Sequence, residues 1–159
     1  MVSVAIFDYG AGNIFSLKNS LEQAGASVDI ITSFDKPNIY SGLLLPGVGN
    51  FDPAIKSINE NSKTKFQDFV KADTPVLGIC LGMEMFFEKS EEGIEKGFNV
   101  IDGEIVVLPS TVKVPHMGWN NLEIKRPGVI LEGVKDDSWV YFVHSYRAQP
   151  KFDDVITAE

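Results

Sequence analysis

Cysteine and histidine are nearly absent from this chain: Cys80 stands alone, and His116 and His144 are the only histidines in 159 residues. A single cysteine excludes an internal disulfide. One Cys and two separated His give no metal-ligand spacing, so no metal is expected. Positive charge is also scarce, with 14 Lys and Arg against 22 Asp and Glu, a formal net charge of −8. The basic residues are scattered. This argues against a nucleic-acid partner and against attachment to anionic membranes. No apolar run approaches the roughly 20 residues needed to span a bilayer. Met1-Val2-Ser3-Val4 opens directly on a strand with no basic leader, so no signal peptide is expected. There is no linker, repeat or low-complexity stretch, and the length fits one domain over residues 1–159. A cytoplasmic enzyme subunit is the natural class.

What is present is organised around residues 75–90, PVLGICLGMEMFFEKS. Pro75, Val76, Leu77 and Ile79 form a short apolar run, as a buried parallel strand would. Gly78-Ile79-Cys80-Leu81-Gly82 has the form G-x-C-x-G. From Leu81 the pattern turns helical, with Met85 and Phe86 at helical spacing and Lys89 near the end. A strand feeding a helix through a nucleophile flanked by glycines is a nucleophile elbow. The thiol then stands at the C-terminal edge of the sheet, and the Leu81 N–H is half an oxyanion hole. A helix N-terminus there favours the thiolate, so a depressed thiol pKa is expected.

The rest of the chain supplies a frame for this turn. Val2–Phe7 and Val28–Thr32 are strands joined by a helix over Ile14–Ala24, which ends at Gly25. This βαβ start predicts a parallel sheet with right-handed crossovers. Gly10-Ala11-Gly12 lacks the third glycine of a dinucleotide loop, and no cofactor is expected. Leu43–Leu45 is a third strand running into Pro46-Gly47-Val48-Gly49-Asn50-Phe51. Glycines after a strand let the backbone turn and expose N–H groups. Gly47, Val48 and Gly49 are the candidates for the second oxyanion donor. Helices are expected over Asp52–Asn59 and Ser62–Val70, and a solvated, charged loop over Ser90–Gly97. Beyond Phe98 the pattern changes to antiparallel strands over Val100–Leu108, Leu122–Lys125 and Trp139–Val143, packed on the edge of the parallel sheet. Met117 and Trp119 beside Gly118 suggest a binding surface, because Met and Trp are interface residues.

The elbow GICLGME closely resembles that of the class I (triad) glutamine amidotransferases, within them most of all the glutaminase subunit of imidazole glycerol phosphate synthase. LPGVGNF (45–51), PHMGWN (115–120) and YFVHSYR (141–147) match the same subunit, and the resemblance runs from Met1 to Glu159. It implies a three-layer α/β fold, with a mostly parallel sheet flanked by helices and an antiparallel addition. It implies that glutamine is hydrolysed through a Cys80 thioester and that ammonia passes to a cyclase (synthase) partner. Gly47, Val48, Gly49, Leu81 and Glu84 would then line the oxyanion and substrate site with His144, Ser145 and Tyr146. Asn13, Met117, Trp119, Asn120 and Tyr141 would face the partner. The resembled subunit reorients its peptide at the position of Val48 on partner binding.

Two departures stand out. The class carries its triad His and Glu in an H-P-E segment beyond the elbow, and this sequence has none before Glu159. The expectation is a chain incomplete at its C-terminus and unable to turn over glutamine as given. His144 ends a strand and His116 precedes a turn, where a histidine is more often hydrogen-bonded structure than a base. Second, Glu84 stands where the class has Gln, which puts a carboxylate beside the thiolate. Three rivals remain at this point: ammonia supply to another synthase such as a sugar-amidating enzyme, a cysteine hydrolase of the dienelactone type, and a catalytically silent binding subunit.

Overall fold

The computed structural model describes residues 2–35, 39–58 and 60–159. Four parallel strands form the main sheet in the order β2-β1-β3-β4: β1 (Ser3–Phe7), β2 (Ser27–Ile31), β3 (Gly42–Gly47) and β4 (Val76–Cys80). Side chains alternate across it. Ile6, Val28 and Leu44 point to one face, where Leu17 and Leu21 of helix α1 (Ile14–Gln23) cover them. Ala5, Phe7, Leu43 and Leu45 point to the other face, into a larger core rich in phenylalanine. Helices α2 (Phe51–Ser57) and α3 (Glu60–Lys71) supply Phe51, Phe66 and Phe69 to that core. The three layers follow from this two-sided apolar alternation. The expected end of the first of these two helices, Asn59, lies outside the described residues.

Two expectations about the elbow are corrected. Strand β4 is not buried. It is the edge of the sheet among the described residues, and Leu77 and Ile79 are 37% and 38% exposed. The helix after the nucleophile does not run on toward Lys89. It is a single turn, α4 (Leu81–Glu84), because its onward carbonyls are claimed by other backbone. Met85 O accepts from Phe98 N–H, Phe86 O from Val100 and Ile101 N–H, and Glu88 O from Gly97 N–H. Lys89 and Ser90 then form strand β5, paired parallel with Glu104 and Ile105 of β6 (Gly103–Val107).

The antiparallel strands form sheets of their own rather than extending the free edge of β4. Strand β9 (Tyr146–Pro150) pairs with β6, so β5-β6-β9 make one sheet. Strands β7 (His116–Asn121) and β8 (Trp139–His144) make a two-stranded ribbon. His116 therefore opens a strand instead of preceding a turn. The strand expected over Leu122–Lys125 is reduced to one bridge between Ile124 and Ala158. Asp153–Val155 is a 3-10 turn, and Ala158 beyond it supplies the other half of that bridge.

Candidate active site

Cys80 is the last residue of β4 and stands immediately before α4, with φ 55° and ψ −120°. A non-glycine residue held at positive φ stores on the order of 1–3 kcal/mol of strain, and such residues cluster at functional sites. The flanking glycines make the turn possible. A Cβ on Gly78 would stand 2.6 Å from Met83 Cα and 2.7 Å from a Phe86 ring carbon. A Cβ on Gly82 would collide with the Leu45 carbonyl oxygen. The G-x-C-x-G spacing is thus a steric demand of strand and helix meeting at one residue. Across the sheet, Gly47 is in register with Cys80. The loop that follows is open: Val48 is 67% exposed, and Gly49 has φ +114° with nothing near its Cα.

Cys80 is exposed, and its surroundings push the thiol pKa up, opposite to the expected depression. Partial burial is the largest cause. The Leu81 N–H directed at the sulfur pulls the other way, and the carboxylates of Glu84 and Glu92 push up again. A four-residue helix has too few aligned peptides to offset this. Glu84 is itself buried, 9% exposed, and its carboxyl is pushed up to about 7 by that burial and by Glu92.

The loop after α4 keeps Glu91, Ile94 and Lys96 in solvent, as expected, but it is pinned to its neighbours. Ser90 is buried. The Glu92 carboxylate accepts from Phe51 N–H at 2.7 Å, and Glu91 accepts from Val107 N–H at 2.7 Å. Asp52 accepts from the N–H groups of Ile94 and Glu95. The acidic segment is thereby tied to the start of α2, next to the Gly47–Gly49 loop. Tyr146 faces the same acids: burial raises its hydroxyl pKa first, and then Glu92, Glu84 and Glu91 raise it further. Sequence reasoning treated Glu91 and Glu92 as solvated charge. Two consecutive acids directly after the elbow helix were the available signal. It also missed Tyr9, whose hydroxyl lies against Gly47.

His144 is fully committed to structure. Its Nδ1–H donates to the Tyr146 carbonyl at 2.8 Å, which leaves Nε2 to accept from His116 Nδ1 at 3.1 Å. The tautomers follow from the carbonyl, which can only accept. The charged groups acting on Cys80 are Glu84 and Glu92, and neither histidine is among them. The Ser145 carbonyl accepts from Leu108 N–H. The histidine pair lines a separate cavity of about 780 Å³, with Pro115, Phe142 and Arg147, that does not include Cys80.

The ribbon divides the expected partner-facing residues. Trp119 pairs with Tyr141 across β7 and β8, their rings 5.5 Å apart, and Met117 pairs with Val143. All four are more than half exposed and share one face with Trp139. Asn120 falls on the opposite face by strand alternation. Asn13 caps α1, its side chain accepting from Ser16 N–H at 3.1 Å, in the loop after β1.

A three-layer α/β sheet carrying a cysteine elbow against a glycine loop defines a cysteine-dependent amidotransferase or hydrolase architecture. Among solved structures, PurLQS from Thermotoga maritima has the same fold, with a TM-score of 0.70 at 16% identity over 96% of this chain and 71% of that one. The class-I glutamine amidotransferase family model matches residues 5–159, and the chain belongs to that family. Within it, the chain belongs with the HisH subunits of imidazole glycerol phosphate synthase. It is 40% identical to that of Cyanophora paradoxa over 99% of this chain and 75% of the relative. For Aquifex aeolicus the values are 41%, 95% and 74%, and for Archaeoglobus fulgidus 43%, 97% and 77%.

Proposed function

We propose that this chain is the glutaminase subunit of an imidazole glycerol phosphate synthase. It hydrolyses glutamine to glutamate and ammonia, and the ammonia is delivered to a cyclase partner in a heterodimer. There it is used to make imidazole glycerol phosphate and AICAR in histidine biosynthesis. The observation that carries this reading is Cys80 held at positive φ directly across from Gly47, in a chain about 40% identical to HisH subunits.

The chemistry follows from the geometry. The Cys80 thiolate attacks the carboxamide carbon of glutamine, and the carbonyl oxygen takes up the negative charge. Leu81 N–H and the Gly47–Val48 peptide are the donors for that oxyanion. The carbon–nitrogen bond breaks as the nitrogen receives a proton, ammonia leaves, and a thioester remains. Water then cleaves the thioester to glutamate. Acyl transfer of this kind uses no cofactor. Glu84 and Tyr146, with the backbone around Ser145, hold the substrate. Glu84 in its ionised form pairs with the α-ammonium, because the local field from Glu84, Glu91 and Glu92 is negative. Met117, Trp119 and Tyr141 form the docking face for the cyclase. The acid that protonates the departing ammonia is not assigned to His116 or His144: both ring nitrogens of His144 are engaged, and the pair lines a cavity that does not include Cys80.

Two measurements test the reading. A glutamine-like electrophile should label Cys80, and labelling should be lost in Cys80→Ala. The protein should co-purify with a cyclase subunit. A protein labelled at Cys80 that ignores the cyclase but binds a different ammonia-consuming synthase would move the assignment to that synthase.

A further inference from the structure

Tyr9 carries a buried hydroxyl with no hydrogen-bond partner among the described residues. Its ring packs beside Phe7, centroids 6.0 Å apart, which fixes the hydroxyl in place. The position a Cβ would take on Gly47 is enclosed by the Tyr9 hydroxyl, by Gly82 N at 2.7 Å and by Leu81 Cβ at 2.8 Å. Gly47 is the register partner of Cys80. The hydroxyl therefore sits against β3 at Gly47, level with the nucleophile turn. A Cβ on Gly12, in the same loop as Tyr9, would meet Pro46 Cβ at 3.2 Å and Gly47 N at 3.3 Å, so that loop lies close against β3. Burial, and after it the Cys80 charge, oppose ionisation, so the group is a neutral donor.

A ring alone would fill this part of the core. An unpaired buried hydroxyl destabilises the resting protein, and each such group calls for a physical reason. Its place beside the nucleophile supplies one: a donor unsatisfied at rest and satisfied in the transition state accelerates the reaction. We propose that Tyr9 is a positioning residue whose hydroxyl donates to the Gly47 carbonyl oxygen when the Gly47–Val48 peptide turns its N–H toward the oxyanion of the Cys80 adduct. The inference rests on the glutaminase reading. The loop can make this turn, since Val48 is exposed and Gly49 is unhindered at positive φ. Tyr9 keeps its proton throughout and lends only a hydrogen bond.

The test compares the parent protein with Tyr9→Phe, which keeps the ring. Three quantities are read: labelling of Cys80 by a chloroketone analogue of glutamine, alkylation of Cys80 by iodoacetamide, and the thermal midpoint. The analogue forms a tetrahedral adduct and needs the oxyanion site; iodoacetamide does not. The expected result is analogue labelling slowed about tenfold, the loss of one ordinary hydrogen bond, with iodoacetamide alkylation unchanged and the midpoint equal or higher. A purely structural hydroxyl would instead lower the midpoint, and that result overturns the proposal. So does analogue labelling as fast as the parent's. If the parent's Cys80 reacts with iodoacetamide but not with the analogue, the glutaminase reading itself fails, and the inference falls with it.

Discussion

Gly47 and Cys80 face each other across β3 and β4, and the turn that follows Cys80 fills the space where a Gly47 side chain would begin. Gly47 has no room for a side chain because Gly82 N and Leu81 Cβ lie within 2.8 Å of where one would begin. Those atoms belong to the turn that Cys80 makes. Gly47→Ala should therefore destabilise the protein by about 1–3 kcal/mol, the usual cost of overpacking, and should slow labelling by a glutamine analogue. Gly82→Ala should be worse, since its Cβ meets backbone that cannot swing aside. Denaturant midpoints for the two variants check the order; equal stability of Gly47→Ala and parent would mean that β3 and α4 are less tightly packed than described.

The thiol of Cys80 should titrate above the ordinary range. Burial outweighs the single Leu81 N–H, and two carboxylates add to it. The rate of iodoacetamide alkylation against pH reports this directly. A midpoint at or below the free value of about 8.5 would restore the dipole-depressed thiolate that the motif alone suggests. In Glu84→Gln the midpoint should fall, because one of the two carboxylate charges is gone.

Glu84 makes stability depend on pH with a definite sign. Its folded value of about 7 lies above the 4.5 of an unperturbed glutamate. Between those two pH values the unfolded chain has released a proton that the folded chain retains. Stability therefore falls as pH rises from 4.5 to about 7 and is level outside that window. The shift corresponds to about 3 kcal/mol at most, at 1.36 kcal/mol per pKa unit. Glu84→Gln should raise the thermal midpoint at pH 8 and leave it nearly unchanged at pH 4. Because ionised Glu84 pairs with the substrate ammonium but repels its carboxylate and the thiolate, the direction of the KM change decides its role. A lowered KM for glutamine in Glu84→Gln marks the carboxylate as a poor substitute for the amide; a raised KM marks it as the ammonium partner proposed above.

Trp119 is 64% exposed on a face shared with Met117 and Tyr141. Exposed aromatic anchors of this kind commonly account for about 2 kcal/mol or more of binding when truncated. Trp119→Ala should weaken cyclase binding by that amount, roughly thirtyfold, without lowering the thermal midpoint. Asn120→Ala, on the other face of the ribbon, should have less effect. Equal affinity of Trp119→Ala and parent, measured by calorimetry, would remove this face from the interface.

Much of this arrangement is legible in the sequence wherever local geometry alone decides. The βαβ run over Val2–Thr32 announces a parallel sheet, and Gly78 and Gly82 announce the elbow. The misreadings arise where distant backbone intervenes. The helix after Cys80 looks long from its apolar spacing, but the N–H groups of Gly97, Phe98, Val100 and Ile101 take the carbonyls it would need. Glu92 reads as surface charge until Phe51 N–H is found on its carboxylate. The thiol shift could not be read because its causes, Glu84 and Glu92, act through space and burial rather than spacing. His144 shows the converse: its strand-end position pointed to structure, and the bond to His116 supplies the reason.

Residues 1–159 by themselves should release little or no ammonia from glutamine, because no described group beside Cys80 is a ready proton donor. Cys80 is accessible, Gly47 is its register partner, and Leu81 and the Gly47–Val48 peptide are the oxyanion donors proposed above. Attack on the carboxamide is therefore possible once the thiolate forms. Expulsion of the amine is not, because the leaving nitrogen must be protonated as the bond breaks. Glu84, with a value of about 7, is the neighbouring carboxyl that holds a proton near neutral pH, but its burial beside Glu92 makes the resulting anion costly. A placed general acid ordinarily contributes on the order of 10²–10⁴ in rate. The measurement is ammonia release from glutamine by this chain, with and without a cyclase partner, against Cys80→Ala. The expected outcome is no ammonia release above that of Cys80→Ala and no thioester at Cys80, since acylation requires the amine to leave. Turnover on the order of 1 s⁻¹, ordinary for an enzyme, would sink the prediction and make Glu84 the first candidate for the missing acid, ahead of His144, whose ring nitrogens are already engaged.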